Sequence, residues 1–402
     1  MTTHPETDHS YERFSALFSG RTLPLAWLDL DALDANIRSI SQRCGNMPVR
    51  IASKSIRNSR ALEYIAGQQP HIAGIMSYSI AESVMLARRG FKNILCGYPC
   101  MEAEQISEAI QAMKETGALI LFMTDRPEHI SLLQDIAARE DHTVRICIDL
   151  DMSVRFPGVY FGVFRSSLNN TEALTRFLDQ LDLCPRLEIW GAMGYEAQVA
   201  GIADNVPGKG MYNRIIRYLK KRSLPKIAER RREAVALIRR RTGRNIEVNG
   251  GGTGSIESTC LEKDVTEVTV GSGYFQSHLF DGYRQFRHIP AAGFVLRVTR
   301  NPAPDIYTCQ SGGFIASGAT DTAKTPQVYR PKSATLLKNE GAGEVQTPLL
   351  YTGNLLQPGG IVVMRHAKAG ELCEHFNTLH VFRSGGLMDQ WPTYRGEGFD
   401  FH

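Results

Sequence analysis

Between residues 49 and 271 the chain alternates short β-branched apolar runs with longer stretches in which apolar residues recur at helical spacing. The runs predict strands at Val49–Ser53, Gly74–Tyr78, Asn93–Gly97, Ala118–Met123, Val144–Leu150, Leu187–Gly194, Ile246–Asn249 and Glu267–Val270. Helices are predicted over Ser59–Ala66, Ile80–Arg89, Met101–Glu115 and Arg126–Arg139. Eight strands in this rhythm predict an α/β fold of the (β/α)8 TIM-type barrel. An open doubly wound sheet usually has fewer strands and carries a glycine fingerprint after the first, which is missing here.

After Phe275 the pattern changes: GFVLRVTR, IYTCQSGGF, EVQTPLLY and GGIVVMRH are β-like and separated by Pro and Gly. They predict a mainly β C-terminal domain. Leu25–Asp31 is also strand-like and lies upstream of the eight, so it is expected to cross over to that domain. The expected division is a barrel at 32–275 and a mainly β domain from 1–31 and 276–402.

The 402 residues, 43% hydrophobic and 22% charged, suffice for two globular domains. No apolar run approaches the roughly 20 residues that span a bilayer. The opening MTTHPETDHSYERF is polar and lacks a signal-peptide core, which points to a cytoplasmic protein with no membrane partner. Eight scattered cysteines without a CxxC pair read as reduced, buried small hydrophobes and argue against a structural zinc module. The net charge of +4 is concentrated in a basic stretch from Tyr212 to Arg244. Its apolar residues Ile215, Ile216, Leu219, Ile227, Val235, Leu237 and Ile238 fall at helical spacing, so it reads as a helix with a solvated basic face. No base-reaching aromatics or loops interleave, so no nucleic-acid partner is expected. An anionic partner or a subunit contact is the functional alternative.

Functional residues of such barrels sit where strands end and the following loops converge. The first strand, in RIASKSIRN, ends at Lys54; a lysine desolvated there can attack an aldehyde to form a Schiff base, while a rim lysine in a salt bridge is the plain alternative. The seventh strand ends in VNGGGTGS, whose glycines let backbone N–H groups approach an anion, with Thr253 and Ser255 hydroxyls as further donors. The eighth is followed by VGSGYF, with Gly271, Ser272, Gly273 and Tyr274. A lysine and two glycine clusters point to an aldehyde that carries a phosphate, as pyridoxal phosphate does.

RIASKSIRN, DLDMSVRFPGV, GAMGYEAQ, VNGGGTGS and GSGYF, in this order, resemble the fold-type III pyridoxal-phosphate enzymes, and within them the D-threonine aldolase and D-serine dehydratase group. The resemblance covers roughly residues 20 to 380. It implies a barrel of the alanine-racemase type, a β-domain and a homodimer. It further implies Lys54 as the Schiff-base lysine, Arg155 near the pyridine nitrogen and a Tyr195 hydroxyl facing cofactor or substrate. Gly252, Thr253, Gly254, Gly273 and Tyr274 match the phosphate cradle, and Arg57 is a candidate for the substrate carboxylate.

The resemblance also implies a divalent metal on a His-x-Asp or His-x-Cys pair in the β-domain. In VVMRHAKAGELCEHFN, His366 stands in place but Lys368 occupies the second ligand position, and a protonated lysine cannot ligate a cation. Three alternatives stay open. Glu371, Cys373 or His375 completes a metal site, Lys368 replaces the metal electrostatically, or the metal chemistry is lost. The activity implied is a pyridoxal-phosphate-dependent lyase acting on a small-molecule D-amino acid through a Schiff base of its amine. Retro-aldol cleavage of a D-β-hydroxy substrate leads, with Tyr195, His366 and Lys368 as catalytic groups beside Lys54. The alternatives are a dehydratase, a racemase, or a non-catalytic pyridoxal-phosphate carrier.

Overall fold

The structure is a computed structural model that describes residues 9–319 and 321–401. The first eight residues, read above as polar and assigned to the β domain, lie outside the described residues. Two compact units emerge: one takes the chain up to Ile40, then Ser55–Gln68 and Ser272–Asp400, and the other takes Ser41–Lys54 and Gln69–Gly271. In chain order the strands to Val270 are β1 (Leu25–Asp29), β2 (Val49–Ala52), β3 (Ile72–Ser77), β4 (Asn93–Cys96), β5 (Leu119–Thr124), β6 (Val144–Asp149), β7 (Val154–Phe156), β8 (Val159–Phe161), β9 (Leu187–Gly194), β10 (Glu247–Gly250) and β11 (Glu267–Val270).

The second unit is a closed barrel of parallel strands in the order β10-β11-β2-β3-β4-β5-β6-β9. All eight strands read from the sequence are there, with ends displaced by at most two residues. Flanking helices begin and end on local signals. Ser79 caps Ile80–Arg88 by accepting from the Glu82 N–H, and the Glu82 carboxylate accepts from the Tyr78 N–H at 2.8 Å, a variant of the capping box. Gly117, at φ 65°, closes Ala103–Thr116 in the left-handed region that glycine adopts without strain.

Apolar side chains fill the barrel axis around Leu95, Leu121, Met123, Cys147 and Met193. Toward the N-terminal ends of the strands the filling is polar. Arg50, fully buried, donates to both Glu267 carboxylate oxygens at 2.7 and 3.0 Å and to Asn93 Oδ1 at 3.2 Å. Asn249 donates to the same Glu267 at 2.8 Å, and the Arg50 guanidinium lies 5.4 Å from the Trp190 ring. Gly74, between β2 and β4, leaves room for this crossing, since a Cβ there would lie 2.8 Å from Arg50 Nη1 and 2.3 Å from the Asn93 carbonyl oxygen.

The basic stretch forms one helix, Gly210–Thr242, about 50 Å long, with Pro225 inside it. It is only partly a solvated face. Its buried positions are Asn213, Ile216, Lys220, Ser223, Ile227, Arg231, Ala234, Val235 and Ile238, whereas Ile215 is exposed. Lys220 reaches Asp204 at 3.3 Å, and Arg231, fully buried, is held between Glu196 and Glu262.

The first unit is mainly β. Its further strands are β12 (Ala292–Ala303), β13 (Ile306–Gln310), β14 (Gln327–Arg330), β15 (Thr335–Leu336), β16 (Gln346–Leu350), β17 (Ile361–Arg365), β18 (Thr378–Arg383) and β19 (Gly386–Pro392). Among the described residues nine strands form a sheet along the path β15-β16-β13-β12-β1-β18-β19, with β17 joining β12 to β14. β1 does join the C-terminal strands, antiparallel to β12 and parallel to β18. It stops two residues earlier than its pattern suggested, because the Asp29 carboxylate accepts from the N–H groups of Asp31 and Ala32 and turns the chain into the helix Leu30–Cys44. Phe14, Phe18, Trp27, Val295, Val363 and Phe382 form the core of this unit.

Among the described residues no helix is long and apolar enough to cross a membrane. All eight cysteines are free, five of them buried.

Candidate active site

Lys54 follows β2 in a single 3-10 turn, Ser53–Ser55, at the C-terminal end of the barrel strand. Its Nζ donates to the Tyr98 hydroxyl at 2.6 Å and lies 5.3 Å from the centre of that ring. Tyr98 stands just past the end of β4 and lines a pocket of about 250 Å³ with Gly97, Asp125, Asp149, Arg165 and Tyr195. The Arg165 guanidinium sits over two rings, 5.9 Å from the centre of Tyr98 and 5.6 Å from that of Tyr195, within the range of cation–π attraction. It makes no ion pair or hydrogen bond among the described residues.

The pocket perturbs its acids. Burial pushes the Asp149 carboxyl up to about 7, aided by the negative charges of Asp125 and Asp151 and opposed by Arg165. Burial also pushes the Tyr195 phenol up to about 12. Tyr98 moves the other way: although burial raises it, the charge and hydrogen bond of Lys54, with the charge of Arg165, bring it below the usual phenol range.

The glycine-rich loop after β10 belongs to the same unit, and Glu196 anchors it. This buried carboxylate accepts from Arg231 Nη2 and Ser255 Oγ, both at 2.8 Å, from the Gly251 N–H at 3.3 Å, and from the Thr259 hydroxyl. The Ser255 hydroxyl, read as an anion donor, is therefore spent inside the loop. The Thr253 carbonyl accepts from Arg43 at 2.7 Å. Gly252 lies against Tyr195, where a Cβ would be 3.2 Å from the ring and 2.9 Å from Ala200 Cβ. The Gly254 amide has no partner among the described residues.

Lys54, Tyr98, Arg165, Tyr195 and Gly252 thus form a continuous series of contacts. Arg155 is not part of it. It is exposed on the β7–β8 hairpin, 5.7 Å from the Tyr160 ring, and the arginine of the pocket is Arg165, ten residues further on. Tyr98, Asp149 and Arg165 were missed. The first two stand at strand ends, where position alone marked them; Arg165 was hidden because the intervening hairpin moves the pocket arginine away from the strand.

The remaining candidates lie in the β unit. His366, just past β17, is 3% exposed, and neither ring nitrogen has a hydrogen-bond partner. Burial, with the charges of Arg365 and His278, holds it down to about 3, so the ring is neutral. Lys368 donates to Glu371 Oε1 at 2.8 Å and Ser317 Oγ at 2.6 Å. Arg57 is paired with Glu374 at 2.6 Å. Gly273 and Tyr274 lie in the helical turn Ser272–Phe275; Tyr274 is fully buried, and its carbonyl accepts from Asn36 at 2.9 Å.

These donor sets allow two tests of fit. An amine, an unpaired guanidinium and a glycine-rich loop in the barrel unit suit a phosphate-bearing aldehyde. The His366 to Lys368 segment does not suit a divalent cation. Its second position is a cation tied to Glu371, and among the described residues no group of three or more His, Cys, Asp or Glu could hold a metal.

The barrel with its strand-end lysine matches the class of barrel proteins that hold an aldehyde cofactor on an amine. The chain matches the family model of the alanine racemase N-terminal domain over residues 28–275, and it belongs to that family, within the fold-type III pyridoxal-phosphate group. Pyridoxal phosphate is the cofactor of that family. Among solved structures it is similar to D-threonine aldolase from Filomicrobium marinum, with a TM-score of 0.79 at 15% identity, over 94% of this chain and 96% of that one. It is similar to D-threo-3-hydroxyaspartate dehydratase from Delftia sp. HT23, with a TM-score of 0.74 at 16% identity, over 93% and 98%. A third similarity is to alanine racemase of Clostridium difficile 630 in complex with cycloserine, with a TM-score of 0.64 at 13% identity, over 92% and 98%. No curated protein matches the sequence.

Proposed function

We propose that the protein is a pyridoxal-phosphate-dependent lyase that cleaves the Cα–Cβ bond of a D-β-hydroxy amino acid, releasing an aldehyde. The observation that carries this reading is Lys54 at a barrel strand end, hydrogen-bonded at 2.6 Å to a tyrosine of a pocket whose arginine is unpaired. When bound, the cofactor supplies an aldehyde for an amine and a conjugated ring that accepts electron density from Cα.

The chain's own residues supply the rest. Lys54 provides the amine. Arg165, always charged and held between two tyrosine rings, faces an acceptor such as the ring nitrogen or a carboxylate. Gly252, Thr253 and Gly254 form the loop assigned to the phosphate, with the Gly254 amide unpartnered among the described residues, and the Tyr195 hydroxyl stays protonated near neutral pH. His366, the histidine that the resemblance singles out for the β-hydroxyl, is neutral with both ring nitrogens unpaired, but the burial that holds it down to about 3 leaves it a weak base. Lys368 is tied to Glu371 at 2.8 Å and is assigned no part in proton transfer. A homodimer working in the cytoplasm belongs to the same proposal.

The purified protein is expected to show a Schiff-base absorption band that borohydride abolishes and that Lys54→Ala lacks. A panel of D- and L-β-hydroxy amino acids, assayed separately for aldehyde, ammonia and enantiomer, then tests the bond broken. Ammonia without aldehyde would make it a dehydratase, and enantiomer alone a racemase.

A further inference from the structure

A lysine attacks an aldehyde only as the neutral amine, and at neutral pH an ordinary lysine is almost wholly an ammonium. Some group must therefore take its proton. The Tyr98 hydroxyl, which accepts from Nζ at 2.6 Å, is a titratable group placed to do so. Tyr98 is set up for this by its surroundings. Its ring faces Lys54 on one side and the Arg165 guanidinium, 5.9 Å away, on another, and two nearby cations favour a phenolate. Burial and the charge of Asp149 oppose that charge; Asp125 and Asp151 line the same pocket, and Tyr195 lies beyond Arg165.

We propose that Tyr98 is the proton partner of Lys54: its phenolate takes a proton from the ammonium, leaving a neutral amine and a phenol, and returns it when the amine is protonated again. One N–H bond breaks and one O–H bond forms, with no change of oxidation state. The downward shift of the Tyr98 phenol agrees with this geometry. The assignment rests on the reading of Lys54 as the cofactor lysine, yet the tyrosine's own ionisation can be read without any cofactor.

Two measurements test it on the full-length protein. In the first, tyrosinate absorbance of cofactor-free protein is followed against pH. Wild type is expected to show one phenol ionising below the others; that phase is lost in Tyr98→Phe and moves to higher pH in Lys54→Met. An unchanged titration in Tyr98→Phe, with folding verified by circular dichroism, overturns the proposal. In the second, Schiff-base formation with added pyridoxal phosphate is timed across pH. Tyr98→Phe is expected to be slower by about 100-fold near neutrality and to approach wild type at high pH, where lysine loses its proton unaided. Equal rates at every pH overturn the proposal. If wild type forms no Schiff base at any pH, the cofactor reading fails, while the first measurement still decides whether Lys54 and Tyr98 share a proton.

Discussion

Arg231, at the centre of the long basic helix, donates to Glu196 at 2.8 Å, and that carboxylate in turn holds Gly251, Ser255 and Thr259 of the glycine-rich loop. The helix and the loop are thereby one electrostatic unit. Removing one partner of a fully buried pair strands the other's charge, at a cost of about 3–5 kcal/mol. Glu262 also pairs with Arg231, so Glu196→Ala is expected near the lower end of that range. Urea denaturation measures this, and the variant is expected to lose affinity for pyridoxal phosphate more than for pyridoxal.

Two arginines make a matched pair of tests. Arg155 is exposed on the hairpin, so Arg155→Ala should change stability and ligand affinity by no more than about 0.5 kcal/mol. Arg165→Leu removes an unpaired guanidinium from the pocket. A hydrogen bond to a charged group contributes about 1.5–3 kcal/mol, so cofactor or substrate affinity should fall roughly 10- to 100-fold. Fluorescence titration of both variants separates the two positions.

Asp149 sets a pH dependence. Its carboxyl, raised to about 7 in the fold, ionises in the unfolded chain from about pH 4. Between those values the unfolded chain has lost a proton that the fold retains, so this group's contribution to stability declines as pH rises and levels off above pH 7. Asp149→Asn escapes that decline. The variant should gain on the order of 1–3 kcal/mol over wild type at pH 8 and little at pH 4, as melting temperatures at the two values will tell.

Metal removal gives a further test. With Lys368 paired to Glu371 at the second ligand position, EDTA treatment is expected to leave activity intact. Lys368→Asp places a carboxylate two residues from the neutral, unpaired His366, and it should acquire affinity for Mn²⁺ that wild type lacks, measurable by calorimetry.

The barrel could be read from the sequence because strands largely buried on both faces announce themselves as apolar runs, such as LILFM in β5. Lys54 and the glycine loop were legible for a related reason, since their composition is abnormal for a strand end. The β unit was less so. β14, β18 and β19 were not read, because QVYR, TLHVFR and GLMDQWP mix polar and apolar residues and depend on their sheet neighbours for definition. In the long helix the apolar spacing was legible, but the burial of Lys220 and Arg231 was not, their partners lying elsewhere in the chain. Arg165 reaches the pocket past a hairpin whose length no periodicity reveals.

The Arg50–Glu267–Asn93 cluster is also a stopper. Glu267→Ala would leave Arg50 uncompensated where no water reaches it, and is expected to cost about 3–5 kcal/mol. With its base plugged by this charged knot, the barrel offers no passage along its axis at that end, and Lys54 stands at the other.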